Sequence, residues 1–435
     1  MMKSKHINAI ISLLITGGII LMVFTLGSCS GSSNCDGKKC KTALGLNARQ
    51  KISVRDSLFN KENPDHATKF NVYVESSASM DGYVVGNTDF KTVLYRLIGQ
   101  VEADVLKNDN LSLNYINSQS FNRKETVKEF TDRLSAATFS ATGGDRANSD
   151  IIQVISHVVK KTGVNEVSMF VSDCVYSPEA SADIDKALQK QQTDMLNILK
   201  NKAKNDSRFG VLLYRLISDF HGVYYTKTNG NITCDGKRPY FVWFFGDEAI
   251  LSNVARSISK IMSDKKADFI TGIPGYSYLP YKTKGSDHAY HYLRAETKSN
   301  STFTFSFLAD MSKLPLSQQY IMNKDNYHMG KDKYFIKRIE KNKDARHPQY
   351  DYKYTVCIKG KERSLVSPTT IEISLKSMLD KMPSWVITYD DPDGNDYNNG
   401  YVPSKLRTFG LKSLVDGMAD YYKEPYYVTF KIKIN

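Results

Sequence analysis

The chain has 435 residues, of which 41% are hydrophobic and 24% are charged, and it carries a formal net charge of +13 at pH 7. Its basic residues are spread along the sequence and nowhere form a run of five or six, which argues against a nucleic-acid-binding arm. We interpret the basic excess as a solvated surface that attracts anionic membranes or glycans only unspecifically.

The amino terminus has the pattern of a secretory signal. Two lysines precede an uncharged, apolar stretch over residues 10–26, and small residues follow it. A basic start, an apolar core and a small-residue end are typical of a segment that is removed on export. Residues 26–29, Leu-Gly-Ser-Cys, resemble the bacterial lipobox, although its glycine is a less usual choice. We therefore predict a lipoprotein signal peptide over residues 1–28 and lipid attachment at Cys29.

A lipidated Cys29 would place the protein in the cell envelope, outside the cytoplasm, and we expect the outer membrane. Acyl chains hold such a protein at the membrane by burial of the chains, without a spanning helix. The alternative is an uncleaved anchor helix, for which the apolar stretch is short compared with the usual span of about 20 residues. Both interpretations put the rest of the chain outside the cytoplasm.

Residues 29–67 are polar and rich in Ser, Gly and Lys, which predicts a flexible tether. Cys35 and Cys40 lie in this tether. They either form a small disulfide loop or remain free, since an exported site permits oxidation.

Apolar periodicity predicts two structured regions after the tether. Residues 68–267 alternate short apolar strands with amphipathic helices, which is typical of an α/β fold with a mostly parallel sheet and helices on both faces. Residues 268–435 are dominated by strand-like segments, which indicates a second, β-rich, sandwich-like domain. In the first region we predict strands over 70–74, 111–116, 167–171, 210–217 and 240–245, and helices over 90–105, 149–161, 180–205 and 248–262. In the second we predict strands over 302–308, 333–338, 351–358, 370–375, 384–389 and 426–434, and a helix over 411–422.

The segment after the first predicted strand carries oxygen-bearing side chains at alternate positions. Glu75, Ser77 and Ser79 can point to one side of an extended loop, because alternate residues face the same way. In a parallel sheet this loop lies at the carboxyl edge, where α/β folds bind their ligands. Three converging oxygen groups suit a hard divalent cation such as magnesium. The alternative is a polar turn that only caps the next helix.

Four segments, in order and spacing, resemble the von Willebrand factor A (vWA) domain over about 200 of the 435 residues. Glu75 and the serines after it resemble the Asp-x-Ser-x-Ser motif that opens the family's metal-ion-dependent adhesion site. Residues 87–90 resemble the start of the family's first helix, residues 142–145 the loop that supplies a threonine ligand, and residues 170–173 the strand that ends in its last aspartate. The resemblance implies a vWA-like, Rossmann-type fold and a site for Mg, Mn or Ca at Glu75, Ser77, Ser79, Asp145 and Asp173.

The sequence departs from the family pattern at three positions. Glu75 stands in place of an aspartate, and Asp145 falls where a threonine is expected, so that Thr142 would need a different loop to reach the metal. Cys174 stands where a glycine is usual. Three acidic ligands would put a charge of −3 around a +2 ion, which weakens the attraction for a partner's carboxylate. If the site binds metal, adhesion through an acidic ligand is then disfavoured. The alternatives are that one carboxyl is protonated, or that the site has lost its metal and keeps the fold.

These patterns predict a lipid-anchored, extracytoplasmic binding or assembly protein with a protein partner, a membrane contact through its lipid and no nucleic-acid partner. A metal-dependent hydrolase of phosphoesters is one alternative, because carboxylates and serines at the sheet edge could hold a catalytic metal. The same loops show no convincing His, Lys or Arg partner, and we expect no enzyme. A glycan-binding lipoprotein is the other alternative, because most of the 27 tyrosines lie in residues 268–435 and their rings offer flat apolar faces.

The lipid attachment predicts the behaviour of a Cys29→Ala variant. Because the thiol is the only acceptor for the lipid, this variant should remain an unprocessed precursor, visible as a larger species without acyl groups by mass spectrometry of membrane fractions. An alanine variant that still appears as a mature, acylated protein would contradict the prediction.

Overall fold

The computed structural model describes most of the chain from residue 66 onward. The described residues are 66–147, 150–177, 183–225, 231–274, 294–299, 302–330, 334–345, 348, 350–359, 369–391 and 407–434. They belong to one unit that spans Glu62–Asn435. The predicted signal peptide, Cys29, Cys35 and Cys40 lie outside the described residues, as does nearly all of the predicted tether.

A seven-stranded mixed sheet is the centre of the α/β region. Its strands are β1 Lys69–Glu75, β2 Leu111–Ile116, β3 Ser120–Arg123, β4 Glu166–Ser172, β5 Phe209–Tyr225, β6 Asn231–Asp247 and β7 Asp268–Gly272. Their order across the sheet is β3-β2-β1-β4-β6-β5-β7. Strands β1 and β4 are each buried at all but their first residue. Such near-continuous burial is typical of strands covered on both faces.

Strand β1 is the centre of the parallel part of this sheet. It pairs in parallel with β2 on one side and with β4 on the other. The predicted neighbours are confirmed, because Val72 lies opposite Met169 and Val74 lies opposite Val171. The carboxyl ends of the three strands therefore meet at one edge.

The other four strand pairings are antiparallel, so only the β2-β1-β4 part of the sheet is parallel as predicted. The cause is the segment 209–247. There the predicted strands 210–217 and 240–245 extend into β5 and β6, which have 17 residues each and pair along their whole length. A short connection reverses the chain direction, whereas a parallel return needs a crossover of a dozen or more residues.

Helices cover both faces of the sheet, as predicted. In the α/β region they are α1 Asp89–Val105, α2 Val127–Asp132, α3 Ala136–Thr142, α4 Ile151–Lys161, α5 Ile184–Ala203, α6 Glu248–Ser257 and α7 Ser259–Asp264. A 3₁₀ helix, Ala78–Tyr83, follows β1. Helices α1 and α6 share one core with Val72 and Val74. Helices α4 and α5 share the other core with Tyr73, because alternate residues of a strand face opposite sides.

The β-rich region consists of two larger antiparallel sheets over a shared core. Its elements are β8 Arg294–Ser299, β9 Thr302–Ala309, α8 Gln318–Met322, a 3₁₀ helix Lys324–Asn326, β10 Tyr327–Met329, β11 Tyr334–Lys341, β12 Tyr352–Lys359, β13 Thr369–Lys376, α9 Ser384–Tyr389, β14 Asp390–Asp391, β15 Thr408–Phe409, α10 Leu411–Tyr421 and β16 Tyr426–Ile434. The sheets have the orders β11-β12-β9-β8 and β10-β13-β16, and β14 and β15 form a separate pair. Between the sheets, the ring of Phe307 lies 4.9 Å from that of Tyr354 and 5.1 Å from that of Phe430.

Residues 384–389 form helix α9 and not the predicted strand. Pro383 stands directly before the helix and has no N–H to donate to a strand ladder, and the N–H of Val386 donates to the Pro383 carbonyl at 3.0 Å. Val386 is also the one buried residue of this segment. The apolar and β-branched residues of this segment therefore predict a strand, although the segment is a short helix that buries one side chain.

Contacts cross the predicted boundary between residues 267 and 268. Strand β7 pairs with β5 in the large sheet, and Leu414 and Met418 of α10 lie in the core under α4 and α5. Helix α10 approaches α5 so closely at Gly417 that a Cβ there would lie 2.4 Å from the backbone oxygen of Gln192. The Tyr422 hydroxyl, just after α10, donates to the Phe209 carbonyl at 2.9 Å.

Asp351 makes the stability of the β-rich region dependent on pH. The backbone N–H of Met311 donates to its Oδ1 at 2.7 Å, but burial raises the pKa of the carboxyl to about 6. The unfolded value is about 3.9, so the folded state binds the proton more tightly. The ionised carboxylate therefore costs stability above about pH 6, and this cost is absent below about pH 4.

We expect Asp351→Asn to gain stability relative to the wild type as the pH rises, because the amide oxygen still accepts the hydrogen bond and carries no charge. Its free energy of unfolding should improve on the wild type by on the order of 1–2 kcal/mol between about pH 4 and pH 7.5, with allowance for solvent screening of a partly exposed group. Urea denaturation at both pH values measures this difference. Asp380→Asn, at an exposed position, is the matched control. An equal effect at both pH values would contradict the assignment to Asp351.

Candidate functional site

The loop after β1 brings two of the predicted serines onto the end of β4. The hydroxyls of Ser77 and Ser79 lie 3.0 Å apart. The Ser79 hydroxyl donates to Oδ1 of Asp173 at 3.1 Å, across 94 residues of sequence. The parallel pairing of β1 with β4 explains this contact, because both loops start at the same edge of the sheet. We call these three residues the Ser–Asp cluster.

Asp173 is the most deeply buried member of the Ser–Asp cluster, with 1% of its surface exposed. Its Oδ1 accepts from Ser79 and, at 3.3 Å, from the N–H of Val175. Its Oδ2 is buried and has no hydrogen-bond partner among the described residues. Burial raises the pKa of this carboxyl, and the positive charge of Arg238 opposes the rise. A buried carboxylate oxygen without a partner is costly, so a cation or a donor placed there would be stabilised.

Glu75 lies at the same edge, where it contacts the end of β4. It is buried, and its Oε2 accepts a hydrogen bond from the Ser172 hydroxyl. The Ser172 hydroxyl in turn accepts from the N–H of Cys174 at 2.7 Å. Cys174 has φ of +54°, in the left-handed region where glycine is favoured. Glycine adopts this conformation more readily than cysteine does, and the hydrogen bond to Ser172 holds it here.

The structure places Asp145 at the protein surface, where its side chain is exposed. Its N–H donates to the Ser118 hydroxyl at 2.8 Å, and its Oδ1 accepts from the N–H of Ala147 at 2.9 Å. The carboxylate thus folds back on its own loop. Thr142 ends helix α3, and its hydroxyl donates to the Thr138 carbonyl at 2.8 Å. A hydroxyl that bonds four residues back along its helix is satisfied locally.

Arg146, which was not predicted as a site residue, faces the loop after β1. Its Nε donates to the Ser76 carbonyl at 2.8 Å, and its guanidinium forms an ion pair with Asp81. Its own carbonyl accepts from the N–H of Ala78 at 3.0 Å. The sequence suggested no convincing basic partner in these loops, because the residue pattern does not set the direction of a side chain in an irregular loop. Arg146 fixes the loop that carries Ser77 and Ser79.

A β-ribbon covers this loop. Residues 216–225 of β5 and 231–240 of β6 extend beyond the residues that pair with β7 and β4 and pair only with each other. The ribbon packs on the 3₁₀ helix Ala78–Tyr83, and a Cβ at Gly222 would lie 2.7 Å from the Cα of Gly82. The prediction ended the strand at residue 217, so this cover was not anticipated.

The ribbon also supplies the positive charge near Asp173. Arg238 has no exposed surface, and its guanidinium carbon lies 4.2 Å from the ring centre of Tyr224 and 5.2 Å from that of Phe220. Aromatic faces stabilise such a cation. Its charge favours the ionised form of Asp173.

The oxygen atoms that converge here suit a hard cation. One carboxylate and two hydroxyls match the ligands of magnesium or calcium more closely than the nitrogen and sulfur ligands of zinc. Within the described residues, no group of three or more His, Cys, Asp or Glu side chains is placed to hold a metal ion. A cation at this edge would therefore depend on Ser77, Ser79 and Asp173. Glu75 is close by, because it bonds to Ser172, the residue before Asp173.

Several of the described tyrosines of the β-rich region belong to its core. Tyr327, Tyr352 and Tyr354 are buried, and the hydroxyls of Tyr327 and Tyr354 are 2.9 Å apart. Among the described residues after 268, every tyrosine is buried or half-buried. The described part of this region therefore shows no exposed tyrosine ring on which a sugar could stack.

Comparisons with known proteins gave no match to a family model, to a curated protein or to a solved structure. In the part of the chain that the structure describes, no helix is both long enough and apolar enough to cross a membrane.

The close approach of the ribbon predicts opposite effects for two glycine substitutions. Gly222→Ala should lower the free energy of unfolding by about 1–3 kcal/mol, because its methyl group overlaps the Gly82 backbone. Gly99→Ala is the matched control: a Cβ there meets nothing within 4 Å, and alanine in a helix interior should add about 0.5–1 kcal/mol. Chemical denaturation measures both. Equal stability of Gly222→Ala and the wild type would contradict the packed position of the ribbon.

Proposed function

We propose that this chain is a lipid-anchored, extracytoplasmic binding or assembly protein whose α/β region is a vWA-like domain. Its partner is a protein, and a divalent cation (Mg, Mn or Ca) held by Ser77, Ser79 and Asp173 assists the contact. The lipid on Cys29 keeps the protein at the outer membrane, and the tether sets its reach.

The observation that carries the proposal is the state of Asp173. This carboxylate is buried, contacts Ser79, and has one oxygen without a hydrogen bond among the described residues. It lies where the carboxyl ends of parallel strands meet, which is the usual ligand position in α/β folds. Ser79 is only half-buried, so solvent and a partner reach the cluster from that side.

The charge balance also favours a protein partner with an acidic group. Because Asp145 is exposed, the buried carboxylates near the cluster are those of Glu75 and Asp173. A divalent ion balances their combined charge of −2. The positive charges of Arg238 and of Arg146 lie beside them, although Asp81 pairs with the latter. The site with its ion is then neutral or positive, and not negative as three acidic ligands would make it. Such a site attracts a carboxylate from a partner.

If the site holds a divalent cation, adding the metal should raise the melting temperature. Magnesium, manganese or calcium at about a hundred times its dissociation constant should stabilise the wild type by about 2.7 kcal/mol, a shift of about 3–4 °C for a unit of this size. Asp173→Ala should abolish the shift, because it removes the one carboxylate that contacts the serines. Asp145→Ala should retain it, because that carboxylate is exposed. A wild type that does not respond to millimolar metal would refute the cation.

If a protein partner binds at the Ser–Asp cluster, its contact with this protein should depend on Asp173. Chemical cross-linking in envelope membranes should give a specific adduct of the wild-type protein that a chelator weakens and that Asp173→Ala lacks. The Asp145→Ala protein should still form it. An adduct of the same yield in the wild type, in the Asp173 variant and under chelation would place the binding surface elsewhere.

A further inference from the structure

A large groove lies beside the edge strand β3. Its volume is about 1010 Å³, and α1, β2, β3, α2 and α7 contribute to its walls. It shares no residue with the Ser–Asp cluster. Leu111 and Leu113 line it from the start of β2, whereas the cluster follows the carboxyl ends of β1 and β4. The groove therefore lies at the end of the parallel part of the sheet that is opposite to the Ser–Asp cluster.

The lining of the groove is predominantly basic, with five cationic side chains against two carboxylates. The cationic side chains are Arg96, Arg123, Lys124, Lys128 and Lys260, and the carboxylates are Glu102 and Glu125.

Three of the five cationic side chains already have a carboxylate partner: Arg96 pairs with Asp264, Arg123 with Glu125 and Lys128 with Asp132. Glu125 is ion-paired with Arg123 and also with Arg133, which lies outside the lining. Lys124 and Lys260 are exposed and form no ion pair with another described residue. An anionic ligand in the groove thus gains two cations that have no protein partner to give up.

The groove also has features that suit a peptide. Leu113 and Ile261 are buried beneath it, and Tyr95, with 48% of its surface exposed, stands at its rim. Strand β3 pairs with β2 on one side and, among the described strands, with none on the other. The outer side of an edge strand presents backbone N–H and C=O groups that an extended peptide can pair with.

We propose that this groove binds an acidic protein segment in an extended conformation, which adds to the edge of β3 and places its carboxylates beside Lys124 and Lys260. The positive charges of Lys124 and Lys260 favour an anionic ligand. The outer edge of β3 favours a peptide, because a peptide can form backbone hydrogen bonds with it. A flat membrane surface does not fill a concave groove, and a single phosphate leaves most of its volume unused. The site is independent of the Ser–Asp cluster, so each can fail without the other.

The test uses a fluorescent eight-residue peptide of alternating glutamate and valine, with its affinity measured by anisotropy. Valine favours the extended form, and alternation puts all carboxylates on one side. The wild type should bind it, and the affinity should fall as salt screens the charges. The double variant Lys124→Glu/Lys260→Glu should bind at least tenfold more weakly. Lys200→Glu/Lys423→Glu, with the same change in net charge at exposed lysines outside the groove, should bind as the wild type does.

The same peptide with N-methyl groups on alternate residues tests the strand pairing, because it keeps the charges and loses the backbone donors. Its affinity should fall severalfold. Equal affinity of the two peptides, equal weakening by both double variants, or no binding to the wild type would overturn the proposal. So would binding of phosphatidylglycerol vesicles that Lys124→Glu/Lys260→Glu abolishes while the peptide does not bind, since the groove would then serve a membrane. Lys124→Ala/Lys260→Ala repeats the test without new charges if the glutamate variant does not fold.

Discussion

Strand β1 is held in register from both sides, by parallel hydrogen bonds to β2 and to β4. Its faces are covered as well, with Val72 and Val74 in one core and Tyr73 in the other. A shift of one residue would turn every side chain to the wrong face, so the chain leaves the sheet at a fixed point after Glu75. The contact of Ser79 with Asp173, the position of Arg146 and the packing of the ribbon all depend on that point.

Periodicity and spacing predict the parts of this arrangement that follow from strand direction. They place Ser79 beside Asp173 because parallel strands end at one edge. They do not predict the direction of a side chain in an irregular loop: Gly143 and Gly144 both have positive φ, and these torsion angles decide that Arg146 turns inward and Asp145 outward. Nor do they reveal the ribbon, because its strands remain extended through pairing with each other and not through an alternation of buried residues.

Two arginines distant in sequence shape the electrostatics of the carboxyl edge. Arg238 reaches it from the ribbon, and Arg146 from the loop before α4. A buried carboxylate and a buried guanidinium each lose hydration, and their attraction offsets only part of that cost. Asp173 keeps a raised pKa for this reason, in spite of the nearby charge. The edge is thus polar and buried at its base and accessible near Ser79, a combination that strengthens the electrostatic attraction of whatever binds there.

Helix α10 completes a core most of whose other members lie between Tyr73 and Ile270. Leu414 and Met418 cover a face shared with α4 and α5, and Gly417 allows the backbones to approach. The two regions are therefore not interchangeable modules, because a chain cut after β7 would leave this apolar face open to water. Contacts of such long range also slow folding. A chain synthesised from its amino end must keep that unfinished apolar surface from aggregating until α10 has emerged.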